Sequence, residues 1–169
     1  LEIYNSSRKA KEVTARLSDL SRKNTSLTFQ YVSPDELVRK VLAVASPARP
    51  PHVEVRTDLA CRHLWLRGNE IQLSQMLLNL ILNAYHAMEP GGGTLTVATR
   101  PEGEFLCFQV SDTGSGISPE VLPHIFEPFF TTKERGKGTG LGLAIVRQVM
   151  EEHKGTIAID TAPGRGTTM

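Results

Sequence analysis

Residues 69–88 read NEIQLSQMLLNLILNAYHAM, and the architecture of the chain turns on this stretch. Ile71, Leu73, Met76, Leu77, Leu78, Leu80, Ile81, Leu82, Ala84, Ala87 and Met88 are too many apolar residues for a surface helix with one greasy face. On a helical wheel the exceptions, Gln72, Gln75, Asn79, Asn83 and His86, collapse onto one narrow stripe. The reading is a helix over 69–88, buried nearly all round, whose amides face partners or a polar cavity. A buried amide left without a hydrogen bond costs about 1–3 kcal/mol, so a row of them must be answered. Neighbouring backbone could satisfy them as a ladder. Alternatively, they wall a cavity and offer carboxamide oxygens to a hydrated hard cation such as Mg²⁺, which prefers oxygen ligands and keeps several waters. The stripe alone leaves both readings open.

Outward from this helix the pattern alternates. Residues 53–57 and 64–67 read as strands before it. After it, Gly91, Gly92 and Gly93 make a turn, and 94–100 and 105–112 read as a hairpin. An irregular glycine-rich stretch covers 113–140, followed by a helix over about 141–153, a strand over 156–161 and a last strand opening near Thr167. Upstream, Ser33 as cap, Pro34 in the first position and Asp35 and Glu36 in the first turn mark a helix that runs to about Ala45 and ends among the prolines of 46–52. The mixed order favours a two-layer α/β sandwich, a mixed sheet with helices, over a doubly wound parallel sheet. Ahead of it, Ile3, Ala10, Leu17 and Asn24 share one heptad position, and Ser6, Val13, Leu20 and Leu27 another. That spacing fits either a coiled-coil seam or a single amphipathic helix.

Three glycine clusters follow the long helix. Asp112-Thr113-Gly114-Ser115-Gly116-Ile117 closes an apolar strand, where a carboxylate and two glycines suit a pocket floor approached by a flat ligand; a plain chain reversal has the same residues. Gly136-Lys137-Gly138-Thr139-Gly140-Leu141-Gly142-Leu143 runs into an apolar helix, the arrangement that presents bare amides to an anion, with a flexible linker as the alternative. It fits neither the Walker A nor the dinucleotide-binding glycine spacing. The third, Gly164 to Thr168, is explained by a turn between strands and is assigned no ligand contact. Between the first two, the aromatics of 125–133 suggest either a mobile lid with hydrophobic anchors or a core contact.

Taken in order, these motifs resemble the ATP-binding domain of histidine kinases, in the superfamily of gyrase, heat-shock chaperone, histidine kinase and MutL ATPases with its Bergerat-type fold. Gln75, Asn79, Asn83 and Ala84 resemble the asparagine box, and Asp112, Gly114, Gly116 and Ile117 the first glycine box. Phe126, Phe129, Phe130 and Lys133 resemble the phenylalanine box, and Gly138, Gly140, Gly142 and Leu143 the second glycine box; the wording from Phe129 to Gly142 is most similar to the nitrogen-regulation type of sensor kinase. The resemblance covers roughly 34–169. It implies that Asp112 accepts from the exocyclic amine of adenine, that Asn83 holds Mg²⁺ against the phosphates with Asn79 in support, and that Gly138, Gly140 and Gly142 let the lid and helix start wrap the triphosphate. His86, Thr131, Thr132, Lys133, Thr139 and Leu141 join the implied ATP site, with Asn79 and Asn83 as the catalytic pair.

Two departures accompany it. The position three after the metal asparagine, often basic in the family, is His86. The five histidines, His52, His63, His86, His124 and His153, all lack the sequence context of a phosphoacceptor. The implied division is 1–33 as the end of a dimerising helical hairpin plus linker, and 34–169 as a C-terminally truncated catalytic domain. Both ends read as cut from a longer protein. The partners implied are ATP, a histidine-bearing dimerisation domain of a homodimeric parent, and a response regulator receiver domain. A rival is an ATP-hydrolysing clamp, but that needs a water-activating glutamate where this chain has Asn79, and an amide is no general base. A second rival, a catalytically dead nucleotide-sensing module, sits poorly with Asp112, Asn83 and both glycine boxes in place.

Composition bounds the rest. The 169 residues carry 19 basic and 18 acidic side chains, 40% hydrophobic residues and a mean hydropathy of −0.19. A net charge of +1 gives no global field toward nucleic acid. Cys61 and Cys107 form no C-x-x-C pair and read as two core thiols of a reduced, cytoplasmic protein. No apolar run spans a bilayer, which leaves room for a membrane anchor elsewhere in the parent.

Overall fold

The computed structural model describes residues 28–89, 91–133 and 138–169. The heptad positions of the expected N-terminal helix lie outside the described residues, as do Gly136 and Lys137.

The chain begins with β1 (Gln30–Val32), α1 (Pro34–Ala45), a 3₁₀ turn (Ser46–Ala48), β2 (Val53–Leu59) and β3 (Leu66–Gly68). The long helix α2 (Glu70–Met88) leads into β4 (Gly93–Glu102) and β5 (Phe105–Asp112). A second 3₁₀ turn (Leu122–His124), α3 (Gly142–Glu152), β6 (Asp160–Ala162) and β7 (Gly166–Thr168) complete it. Five strands form one sheet in the order β2-β4-β5-β7-β6, while β1 and β3 form a separate antiparallel pair. Only β2 and β4 run parallel, with Val53 opposite Gly93; the other pairs are antiparallel, so the sheet is mixed as expected.

The helices share one core with one face of the sheet: Val38, Leu77, Ile81, Leu95 and Val97 are fully buried together. The alternation in β2 shows why the other face is polar, since Val53, Val55 and Leu59 turn inward while Glu54, Arg56 and Asp58 are exposed. Asp35 is the charged side chain among the buried polar residues described. Its carboxylate, 1% exposed, accepts from the Cys61 amide at 3.2 Å and from the Thr99 hydroxyl, tying the start of α1 to β4 and the end of β2.

Several details differ from the sequence expectations. Ser33 stands at the N-cap position, but its hydroxyl makes no capping bond. The strand expected over 64–67 starts at Leu66 and that over 156–161 only at Asp160, because the pairing register ends with Asp160 opposite Thr168 and 156–159 have no partner strand. β1 was not anticipated; three residues with a single buried side chain leave no periodicity to read. Its pairing to β3 ties residues 30–32 to the body that follows. Of the two cysteines only Cys61 is fully buried, Cys107 lying half-buried on β5. Ile71 is 79% exposed, so α2 is not sheathed at its first turn.

Candidate functional site

The site is built on α2. Asn69 caps it, its side-chain oxygen accepting from the amides of Ile71 (3.0 Å) and Gln72 (3.1 Å). Buried Leu73, Met76, Leu77, Leu80, Ile81, Ala84, Tyr85 and Met88 fix its rotation, and the polar stripe divides along its length. At the first turns Gln72 donates to Glu152 of α3. Farther on, Asn79, Asn83 and His86 line a cavity of about 790 Å³, within the usual range for a small-molecule site. Gln72 and Gln75 are not among its lining residues. The stripe therefore divides: Gln72 meets a side chain of α3 rather than neighbouring backbone, its Oε1 buried without a partner, while Asn79, Asn83 and His86 face the cavity.

Leu80, Val110, Ile125, Leu143 and Met169 give the cavity an apolar lining, and at the end formed by β5 and the last strand Val110 and Met169 line it together with Asp112. Asp112 ends β5, and its carboxylate accepts from the Gly114 amide at 2.8 Å. Burial pushes this carboxyl above the ordinary aspartate range, while the backbone bonds from Gly114 and Thr167 pull it down. The glycines of the box pack it in place. Gly116 has φ +68, and a β-carbon there would stand 2.0 Å from the Ala162 carbonyl. The Ser115 amide donates to Ala87 at 3.1 Å, and the Gly164 amide to Ser115 at 2.7 Å. Gly114 does not line the cavity; it holds Asp112 from behind.

The other end is polar. Here α3 starts without a side-chain cap and without an acidic residue in its first turn, in contrast to capped α2, so its amides suit an anion. A β-carbon on Gly142 would lie 3.6 Å from Asn79 Oδ1 and 3.8 Å from Asn83 Nδ2, so the helix start faces the asparagine pair with room for about one atom between them. Asn79 Nδ2 is buried with no hydrogen-bond partner, a donor awaiting an acceptor. Asn83 Oδ1 accepts from Lys133 Nζ at 3.4 Å and thus already faces a positive charge. Burial lowers the Lys133 ammonium below the ordinary lysine range, with the Glu89 charge opposing.

Residues 130–133 and 138–140 form one wall, and the neck of this loop is closed by backbone. The Phe129 amide donates to the Gly140 carbonyl at 2.9 Å, and both residues have positive φ, +68 and +66. A β-carbon on Gly140 would meet the Phe129 carbonyl carbon at 2.3 Å. Phe130, Thr131, Thr132, Lys133, Gly138, Thr139, Gly140, Gly142 and Leu143 line the cavity as the motifs suggested. Phe126 does not, Leu141 is a core residue at 1% exposure, and the Phe129 residue is 60% exposed. Sequence reasoning missed Thr167 and Met169, having assigned the third glycine cluster no ligand contact. Thr167 pairs directly with Asp112 in the sheet and lines the cavity beside it. A short strand after Gly166 was a legible signal, but its register was not.

Among the described residues no group of three or more histidine, cysteine or acidic side chains could hold a metal. A divalent cation here would rest on the Asn83 carboxamide oxygen, with water and ligand oxygens completing its shell. That donor set fits Mg²⁺.

An acid in an apolar-lined cavity, with amides and a bare helix N-terminus at the far end, defines a nucleotide-binding domain of the two-layer class. Residues 68–169 match the family of histidine kinase-, DNA gyrase B- and HSP90-like ATPases, and the chain belongs to that family. It is 42% identical over 132 residues to the sensor kinase CckA of Brucella abortus (strain 2308), covering 69% of this chain and 14% of that protein. The catalytic domain of histidine kinase ThkA superposes with a TM-score of 0.73 at 27% identity, over 84% of this chain and 92% of that one. Full-length ShkA in complex with AMPPNP gives 0.71 at 31% identity, over 85% of this chain and 30% of that one. The chain spans 14–30% of the length of the first curated relatives it matches. No helix among the described residues is long and apolar enough to cross a membrane.

Proposed function

We propose that this chain binds Mg·ATP and donates the γ-phosphate to a histidine on a separate dimerisation domain of a homodimeric sensor kinase. The observation that carries the reading is the two-ended cavity. Asp112 suits the exocyclic amine of adenine, the apolar lining suits the base, and Asn79, Asn83 and the α3 amides suit the triphosphate. Phosphoryl transfer asks for alignment and charge neutralisation rather than covalent help, and these groups supply them. Mg²⁺, when bound at Asn83, supplies neutralisation of the phosphate oxygens. Lys133 and His86 stand where a phosphate chain would pass, beside the wall formed by residues 130–133 and 138–140. Asn79 occupies the place a water-activating base would need and has no basicity, which favours transfer to a presented nucleophile over hydrolysis. The N–P bond formed is itself a good phosphoryl donor, suited to an aspartate on a response regulator. On this reading residues 1–33 lead out of the dimerising hairpin and the domain works on the cytoplasmic side, where ATP is available.

The test is reconstitution. With γ-labelled ATP and Mg²⁺, label is expected to stay off the isolated chain and to appear, acid-labile, on an added histidine-bearing dimerisation domain. Phosphohistidine on the chain alone, or no transfer to the added domain, would overturn the reading.

A further inference from the structure

We propose that His153 is a positioning residue for the nucleotide site, acting as a two-ended tie that sets the spacing between α2 and α3. The inference rests on the nucleotide reading above and assigns a role to a residue outside the cavity.

His153 follows the last turn of α3. Its Nδ1 lies 2.8 Å from the Val149 carbonyl, which can only accept, so Nδ1 carries the hydrogen. Its Nε2 lies 3.0 Å from the Asn69 amide, which can only donate, so Nε2 is the bare acceptor. Two partners of opposite kind thus assign the tautomer, with hydrogen on Nδ1 and the lone pair on Nε2. The slot around the ring is filled. Phe29 packs on it with centroids 4.9 Å apart, and Gly68 lies so close that a β-carbon there would be 3.1 Å from His153 Cδ2.

What the ring joins gives it consequence. Asn69 caps α2, the helix that carries Asn79 and Asn83, and His153 ends α3, whose opposite end faces those asparagines. A parallel tie from Gln72 to Glu152 lies one turn away. Asn69 precedes Asn79 by ten residues and His153 follows Gly142 by eleven. At about 1.5 Å per residue both spans are about 15–17 Å, so the antiparallel helices meet at two matching levels. One level is held by His153 and Gln72. The other is the narrow gap, held by no hydrogen bond from Asn79 Nδ2, where the Asn79–Asn83 amides face the α3 N-terminus. Releasing the held level lets the gap drift, and alignment of a phosphate chain is sensitive to shifts of about 1 Å.

The experiment compares Mg·ATP affinity, by calorimetry on the whole chain, for wild type, His153→Phe and His153→Gln. Phenylalanine fills the slot without nitrogens, whereas glutamine can present an oxygen to the Asn69 amide. His153→Phe is expected to bind at least tenfold more weakly and His153→Gln to recover to within about threefold of wild type. Val38→Ala, a core change on α1, is the control for lost stability and should keep wild-type affinity even where its Tm falls as far. Unchanged affinity in His153→Phe, or an equal loss in Val38→Ala, would overturn the tie. Failure of wild type to bind ATP would remove the nucleotide reading and the tie with it, a different and recognisable outcome. Should His153→Phe not fold, side-chain ¹⁵N shifts of wild type decide: hydrogen on Nδ1 with coupling to Asn69 supports the proposal, and hydrogen on Nε2 refutes it.

Discussion

At Asp112 one carboxyl group carries two opposing demands. Burial raises its pKa in the fold, so its contribution to the stability of the empty protein is present below the ordinary value of 3.8 and is lost as pH rises through the raised value. At neutral pH the ionised carboxylate is a cost to the empty fold. Recognition of an adenine amine needs that same charge. Asp112→Asn is therefore expected to raise the Tm of the empty protein at pH 7 and to weaken ATP binding by about 2 kcal/mol, the scale of a charge-assisted bond. Thermal denaturation and calorimetry check the two halves, and an Asn variant that keeps both ATP affinity and adenine selectivity would refute the assignment. Wild-type affinity should also fall on acidification, at a pH above that of an exposed aspartate. Lys133 mirrors this case. Its pKa is lowered in the fold, so its contribution is present above the ordinary 10.5 and is lost as pH falls through the lowered value. At neutral pH Lys133→Met should raise the Tm of the empty protein while weakening ATP, and loss of stability on that change would contradict the burial account.

The elements show where helices were legible and where strands were not. The start of α2 could be placed because Asn69 precedes an apolar periodic run, and it is also where a single change is most informative. Asn69→Ala removes the acceptor for two first-turn amides and should lower stability by about 1 kcal/mol, measured by urea unfolding. Asp35→Ala should cost more, about 1–3 kcal/mol, because the Cys61 amide and Thr99 hydroxyl lose a buried acceptor. A cost for Asp35→Ala no larger than that of Asn69→Ala would show that water reaches those donors. The strand that escaped reading is β1, three residues whose partner β3 lies beyond α1 and β2, while β6 was read as starting too early and β7 only by its opening. Asp35 itself looked like an ordinary acidic first-turn residue, because nothing local reveals that α1 turns this carboxylate toward β4.

For the whole molecule, ligand binding and folding share one free energy. Mg·ATP at one hundred times its Kd should stabilise the chain by about 2.7 kcal/mol, seen as a rise of several degrees in Tm. The same addition to Asp112→Asn should shift Tm far less, and equal shifts would place the nucleotide elsewhere. The sequence by itself determined the α/β class, the buried amphipathic identity of α2, and four ordered motifs that carry Asn79, Asn83, Asp112 and most of the glycine-rich wall. Those are properties of periodicity and of residues whose chemistry is written locally. Only the tertiary structure decided that Thr167 sits beside Asp112, that Gly114 braces rather than contacts the cavity, that Leu141 and Phe126 stand back from it, and that the polar stripe divides between a tie to α3 and an open site. Each depends on which surfaces meet across long sequence separations, and the close packing of the interior, not local propensity, sets those meetings.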